Sequence, residues 1–496
     1  MILLLLACAQ PEVPEEDPVT ETPDAFALGP VRACQSPQEL SFAEASESLG
    51  LRGPDQEPSF HGEGGGTLLA DLNDDGHLDL LYGLENRSWF HWGTGPAAFE
   101  PAIELPFAGG VALSPSGGAK VLIGIERLAE VDPSAGADLG YTELVAPGPG
   151  IVRAPSVADF DGDGWPDLYV GRGHPDLASG REDILLWGSE QGFAQDTAEL
   201  VSPELSGEAF DSVILDFDQD GWTDLYVVND RGAERGANRL YRGSAQGLSL
   251  VQDCGACAIA HSPMGVDAAD VNGDGWVDLF IAATTENQLL LGGPDGRFVQ
   301  VPPMGQSAFS LDSMAWGGVI ADVDNDGLAD LWVATGEQSY EDGGSFGVPE
   351  TPYLQLQQED GSFVDVAPEL GMDQVGSWRM TVAHDLNEDG VLDLILSSSF
   401  ETPLLWLSQG CTAQSWLEVE APVMSRVEVH SDGQVQVAWV SNESSFQSVK
   451  PAVAHFGLGS AQDVERVIVE LPLGGGHFEI GEISARRRVS LLSASD

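Results

Sequence analysis

The chain has 496 residues, with 80 acidic against 20 basic side chains and a formal net charge of −60 at pH 7. That balance argues against nucleic acid as a partner, because phosphate backbones are held by positive surfaces. The length accommodates two domains with substantial cores, and no apolar run is long enough to span a bilayer as a helix.

At the N-terminus, MILLLLAC is an apolar run ending in Leu5-Leu6-Ala7-Cys8, which resembles the lipobox of bacterial lipoproteins. Residues 1–8 are therefore expected to be a lipoprotein-type signal that ends at a lipidated Cys8; the alternative is that Cys8 is incidental, since no Lys or Arg precedes the run. Residues 9–35 have the acidic, Pro/Glu-rich, aromatic-poor composition of a tether. Together they place the protein in the bacterial cell envelope, at the outer surface or in the periplasm, or outside the cell, with a lipid anchor as its only membrane contact.

From Asp71 onward the pattern D-x-[DN]-x-D-G-x-x-D occurs six times. Position 1 is Asp71, Asp159, Asp216, Asp270, Asp322 and Asp385; position 3 is Asn73, Asp161, Asp218, Asn272, Asp324 and Asn387. Position 5 is Asp75, Asp163, Asp220, Asp274, Asp326 and Asp389; position 9 is Asp79, Asp167, Asp224, Asp278, Asp330 and Asp393. Hard oxygen donors at alternating positions suit Ca²⁺, and the glycine at position 6 permits a sharp turn around an ion. About six Ca²⁺ sites are expected, offsetting only about a fifth of the net charge. The acidic surface that remains suits a salty habitat, solubility by repulsion, or cationic partners.

An EF-hand would require Glu at position 12, whereas this chain has Tyr82, Val170, Val227, Ile281, Val333 and Leu396. These residues belong to short apolar runs such as PDLYVG and VDLFIA, which read as strands. Each loop therefore joins two strands.

The loops recur roughly every 50–60 residues from Asp159 on, and the longer interval after Asp71 leaves room for one more unit. That unit is Gly109–Gly124, which aligns with Gly65–Gly83 but has lost its carboxylates. Runs such as NRLYRGSAQGL and NQLLLGGPDGRF read as outer hairpins, giving four strands per unit. The expected fold is all-β: a seven-bladed β-propeller over residues 36–411, one blade lacking a metal loop, followed by a small β-domain over 412–496.

The loops, the hairpins and the segments SFAEASESLGL (Ser41–Leu51) and FVDVAPELGM (Phe363–Met372) resemble FG-GAP/VCBS repeats. HFGLGSAQDVERVIVELPLGG (His455–Gly475) is similar to the ASPIC/UnbV domain that follows such a propeller in the cartilage acidic protein family. The glycine-rich segment usual before HFGLG in that family is poorly kept here, where the chain reads APVMSRVEVHSDG. The resemblance implies calcium binding and extracellular interaction and carries no catalytic residues.

Four cysteines besides Cys8 suit an oxidising compartment. A Cys34–Cys411 bond would clasp the ends of the ring. Cys254 and Cys257 read as a local disulfide, with a free or metal-binding thiol pair as the alternative.

Gly343–Gly347 fits G-x-S-x-G, but no helix follows to make a nucleophile elbow. His61, His91, His174, His384 and His455 lack metal-ligand spacing, although a ring could bring some of them together. Trp165, Trp222 and Trp276 at position 7 read as packing between blades, with a sugar platform as the alternative. The long loops Arg172–Asp183 and Glu337–Pro352 are the first places to look for a ligand.

The expected function is that of a non-enzymatic, monomeric, calcium-binding module for adhesion to an unknown protein or glycan. The alternatives are a polysaccharide-active lyase or hydrolase and an envelope assembly scaffold.

Overall fold

The computed structural model describes residues 22–52, 65–84, 87–105, 110–113, 121–124, 128–132, 141–145, 151–173, 183–190, 192–193, 199–201, 207–284, 286–301, 313–341, 344–398 and 401–492. Cys8 with its lipobox, residues 9–21 of the tether, His61, His174 and Gly343 lie outside the described residues, as do residues 174–182 of the first long loop.

Among the described residues, seven sheets follow one another along the chain, six of four antiparallel strands and the first of four antiparallel strands extended by a two-stranded hairpin from near the C-terminus. The first strands are Gly65–Ala70, Gly110–Leu113, Ile151–Ala158, Ala209–Leu215, Pro263–Ala269, Ala315–Ala321 and Trp378–His384. Each of these strands contacts the next, and the last contacts the first, so the sheets close into a propeller. Several are buried along their whole length, because neighbouring blades cover both faces.

The unit without a metal loop forms a blade, its strands Gly110–Leu113 and Val121–Gly124 pairing antiparallel. The outer hairpins also form as expected, for example Arg239–Arg242 with Ser249–Leu250 and Tyr353–Gln357 with Phe363–Asp365.

The seventh blade takes its fourth strand, Phe42–Glu44, from the start of the chain, pairing it with Leu404–Ser408. This explains why Ser41–Leu51 and Phe363–Met372 read alike. Both are the outermost strand of a blade and the turn after it. The Cys34–Cys411 disulfide lies beside this closure, and Cys254–Cys257 is also bonded.

The C-terminal domain is a sandwich of two four-stranded sheets. Leu417, Val419, Phe456 and Val489 from one sheet meet Val427, Val429, Val467 and Val469 from the other. One boundary differs from the sequence expectation. The tether expected over residues 9–35 is structured from Thr22, and Phe26–Leu28 is the edge strand of the first C-terminal sheet, paired with Arg487–Leu491. Phe26 there buries its ring in the domain core, an apolar anchor within an otherwise polar, proline-rich stretch. The C-terminal domain also reaches into the propeller: its hairpin of Glu443–Ser444 and Ser448–Val449 leaves the sandwich and pairs with Gly65–Ala70 of the first blade.

Candidate metal loops and the face they form

All six loops share one backbone course. The position-9 aspartate opens the second strand and pairs with the residue before position 1, as in Ala158↔Asp167 and Ala269↔Asp278. Its Oδ2 accepts the position-2 N–H, from Phe160 at 2.9 Å and Val271 at 2.9 Å. Its Oδ1 accepts an N–H at the end of the third strand, from Gly188 at 2.8 Å and Gly292 at 2.8 Å. This carboxylate ties the loop to the sheet and leaves a lone pair on each oxygen for a metal, except in the Asp385 loop, where each oxygen of Asp393 accepts two hydrogen bonds.

Position 1 accepts from the position-6 glycine, as in Gly164 N to Asp159 Oδ2 at 2.9 Å. Position 5 accepts from position 7, as in Trp165 N to Asp163 Oδ1 at 2.8 Å.

The glycines at position 6 have φ between 82° and 93°, as the sequence requires. Position 4 is also left-handed in every loop: Asp74, Gly162, Gln219, Gly273, Asn325 and Glu388. Sequence reasoning missed this position, although Asp, Gly and Asn there are the residue types that tolerate positive φ. Two of its side chains bridge to the next loop, Gln219 Nε2 donating to Gly275 O at 2.7 Å and Asn325 Nδ2 to Gly390 O at 2.8 Å.

Carboxylate oxygens at positions 1, 3 and 9 converge to within 4.8 Å in the loops of Asp159, Asp216 and Asp322, and each trio could hold a metal ion. The loops of Asp71, Asp270 and Asp385 have Asn at position 3, which supplies a neutral oxygen instead. In the Asp385 loop, Asn387 Nδ2 donates to Asp393 Oδ1 at 3.2 Å and Ser408 Oγ to Asp389 Oδ1 at 2.9 Å.

Burial, reinforced by neighbouring carboxylates, raises the position-9 groups: Asp79 to about 6, Asp167 to about 7 and Asp224 to about 9. So many close acids are poorly matched to one another and well matched to a cation. The donor set is all oxygen and hard, which fits Ca²⁺.

Among the other residues singled out by sequence, Trp222 lies over Gly162 of the preceding blade's loop, an inter-blade packing contact, whereas Trp165 is 42% exposed. His91 is buried beside Tyr82, with Nε2 3.4 Å from the phenol oxygen. Ser345 lies in the strand Gly344–Val348, which pairs with Glu337–Glu341, so Gly344–Gly347 of the G-x-S-x-G stretch run along a paired strand.

The C-terminal domain covers this loop face. Leu473 N donates to Gly221 O at 2.9 Å and Gly459 N to Asn325 O at 2.9 Å. His455 Nε2 donates to Asn325 Oδ1 at 2.6 Å. Gly457 lies so close to Asp322 that a Cβ there would overlap Oδ2, and Gly390 is similarly close to the indole of Trp416. The glycine of the HFGLG run is thus explained by a close approach to a metal loop.

From this face the hairpin enters the ring and touches the first strand of every blade. Ser448 Oγ accepts from Thr67 N at 3.3 Å, Gln447 O from Val111 N at 3.4 Å and Glu443 Oε2 from Ile214 N at 2.8 Å. Glu443 also hydrogen-bonds Ser156. Ser445 Oγ lies against Gly265 and accepts from Gly318 N at 2.8 Å, while Ser444 Oγ donates to Thr381 O at 2.8 Å.

At its tip, Phe446 packs edge-on against Trp316 with ring centroids 5.4 Å apart. Asp211 accepts from Phe446 N at 2.8 Å and Gln447 N at 3.1 Å. Phe446 and Gln447 both have positive φ, a strain of about 1–3 kcal/mol each that persists only where the surroundings enforce it. Nothing in the sequence SNESSFQSVK signals this role.

A mainly apolar cavity of about 270 Å³, lined by Leu113, Val157, Asp159, Met424 and Leu473 among others, lies between the propeller and the C-terminal domain.

Family comparison matches an FG-GAP-like repeat to residues 216–281 and 270–333, and a domain described as ASPIC and UnbV to residues 423–495. No curated protein matches the chain. Similar solved structures include an Agrocybe aegerita lectin described as recognising non-reducing terminal N-acetylglucosamine (14% identity, TM-score 0.35, 87% of this chain and 98% of that one). The Photorhabdus luminescens Tc holotoxin pore is similar over 77% of this chain and 15% of that one (16% identity, TM-score 0.36). The Dos1 propeller is similar over 72% and 95% (10% identity, TM-score 0.38). The chain carries FG-GAP-like repeats within a β-propeller, followed by an ASPIC and UnbV domain.

Proposed function

We propose that this protein is a calcium-stabilised binding module of the bacterial cell envelope, or secreted, anchored through lipidated Cys8 and acting by adhesion to a protein or glycan. The observation that carries the reading is the repetition of one loop geometry, with left-handed residues at positions 4 and 6 in all six loops and carboxylates converging at positions 1, 3 and 9 in three of them. In each loop the residues at positions 1, 3, 5 and 9 would hold the ion. Ca²⁺ neutralises charges that otherwise repel, and so fixes the turn between the first two strands of a blade.

The two disulfides and the FG-GAP-like repeats favour a location outside the cytosol. Extracellular calcium modules bind at about 10⁻⁴–10⁻³ M, so the loops would fill there. Because the C-terminal domain occupies the loop face, an external ligand is expected to use another surface.

Thermal unfolding of the protein lacking residues 1–8 tests the reading, with millimolar Ca²⁺, with excess chelator and with Mg²⁺ as control. A calcium-specific rise in melting temperature is expected. Equal melting in all three conditions would refute a structural role for calcium.

A further inference from the structure

The C-terminal domain meets the propeller in two places that are continuous with one another. Its HFGLG run and Leu473 rest on the loops of Asp322 and Asp216, and its hairpin fills the ring's axis. The seating on the loops depends on backbone atoms, namely Asn325 O and Gly221 O, whose positions are set by the turn at position 4 or 6. A loop that opens moves those acceptors, and Gly457 sits so close to the Asp322 carboxylate that the seat has little tolerance for its displacement. The hairpin tip is strained at Phe446 and Gln447, so it leans toward release whenever the domain above it loosens.

We propose that the C-terminal domain is an internal ligand of the calcium loops: ions in the loops hold the domain on the face and keep the Glu443–Val449 hairpin in the ring, and their removal lets both go. This rests on the calcium reading above. The domain stays attached when released, because Phe26–Leu28 pairs with Arg487–Leu491 and Cys34 is bonded to Cys411. Calcium then governs whether the interior of the ring, with Asp211 and Trp316, is open to solvent. By reciprocity, a seated domain raises the ion affinity of the loops it touches.

Hydrogen–deuterium exchange on the full chain, in millimolar Ca²⁺ and after chelation, tests the proposal, with ion binding measured separately by calorimetric titration. Amides of 443–449 and 455–459 should exchange roughly 5–150-fold faster on chelation, while the first strands of the blades keep most of their protection. In saturating Ca²⁺, Gly457→Ala should reproduce part of that acceleration. If calcium binds but the hairpin stays equally protected after chelation, the coupling is wrong and the calcium reading stands. If all blades lose protection together with the hairpin, the domain is not separately held and the proposal also fails. Titration showing no calcium binding would overturn both.

Discussion

Replacing Phe446 with alanine tests whether the hairpin is a structural hub. The ring is 1% exposed and lies edge-on to Trp316, which is equally buried. Truncating a buried Phe costs about 3–5 kcal/mol, and the cavity left on the ring axis has little freedom to collapse between strands of different blades. The backbone strain at φ 51° is unchanged, because alanine keeps the Cβ. Converting to temperature depends on what unfolds together. At about 2.1 cal/mol/K per residue, a chain of this length melting as one unit has an unfolding entropy of about 1 kcal/mol/K, so the midpoint should drop by about 3–5 °C. If the C-terminal sandwich of roughly 80 residues melts first, the same loss moves that transition by well over 10 °C. Scanning calorimetry in millimolar Ca²⁺ separates the two cases. A midpoint within about 1 °C of the parent, with no new transition, would refute the assignment of the hairpin as a packed hub.

Gly390→Ala forces a Cβ into Trp416, whereas Gly76→Ala meets nothing within 4 Å and pays only for its positive φ; denaturant unfolding should show the former costing more by at least about 1 kcal/mol. The double variant Cys34→Ser, Cys411→Ser releases a cross-link spanning 377 residues and should lose roughly 2–5 kcal/mol in the same assay.

Burial raises Glu443 to about 7 and Asp211 to about 8. Their folded pKa values exceed the unfolded ones, so their contribution is intact below about pH 4 and is lost as pH climbs toward 8. In saturating Ca²⁺, Glu443→Gln should therefore gain stability relative to the parent as pH rises from 5 to 7, by up to about 1.4 kcal/mol per unit. A pH-independent difference between the two proteins would contradict this.

The propeller was legible because it is written in repeats. The position-9 aspartates mark the start of each second strand, and the likeness of Ser41–Leu51 to Phe363–Met372 already contains the closure of the seventh blade. The blade without carboxylates was found by its strand pattern, since the apolar runs serve packing whether or not an ion is held. What escaped was whatever depends on contact between distant segments. Phe26–Leu28 is too short and too near prolines to announce itself as a strand, and its partner lies at the other end of the chain. The hairpin is polar because its hydroxyls and Glu443 satisfy backbone and side-chain groups facing the ring's axis. A polar hairpin destined for burial reads as a surface loop. The left-handed position 4 escaped because the pattern fixes only its neighbours.

The strand at Phe26–Leu28 and the one at Phe42–Glu44 both await partners made almost last, Arg487–Leu491 and Leu404–Ser408. Each blade from the first to the sixth can form from a short stretch of sequence, but neither the ring nor the sandwich can be finished until nearly the whole polypeptide is present. Such late, long-range pairing is the slow kind, and until it occurs the chain exposes strand edges at both ends. A growing chain is thereby kept from completing its fold early, and its ends stay unpaired until synthesis is nearly done.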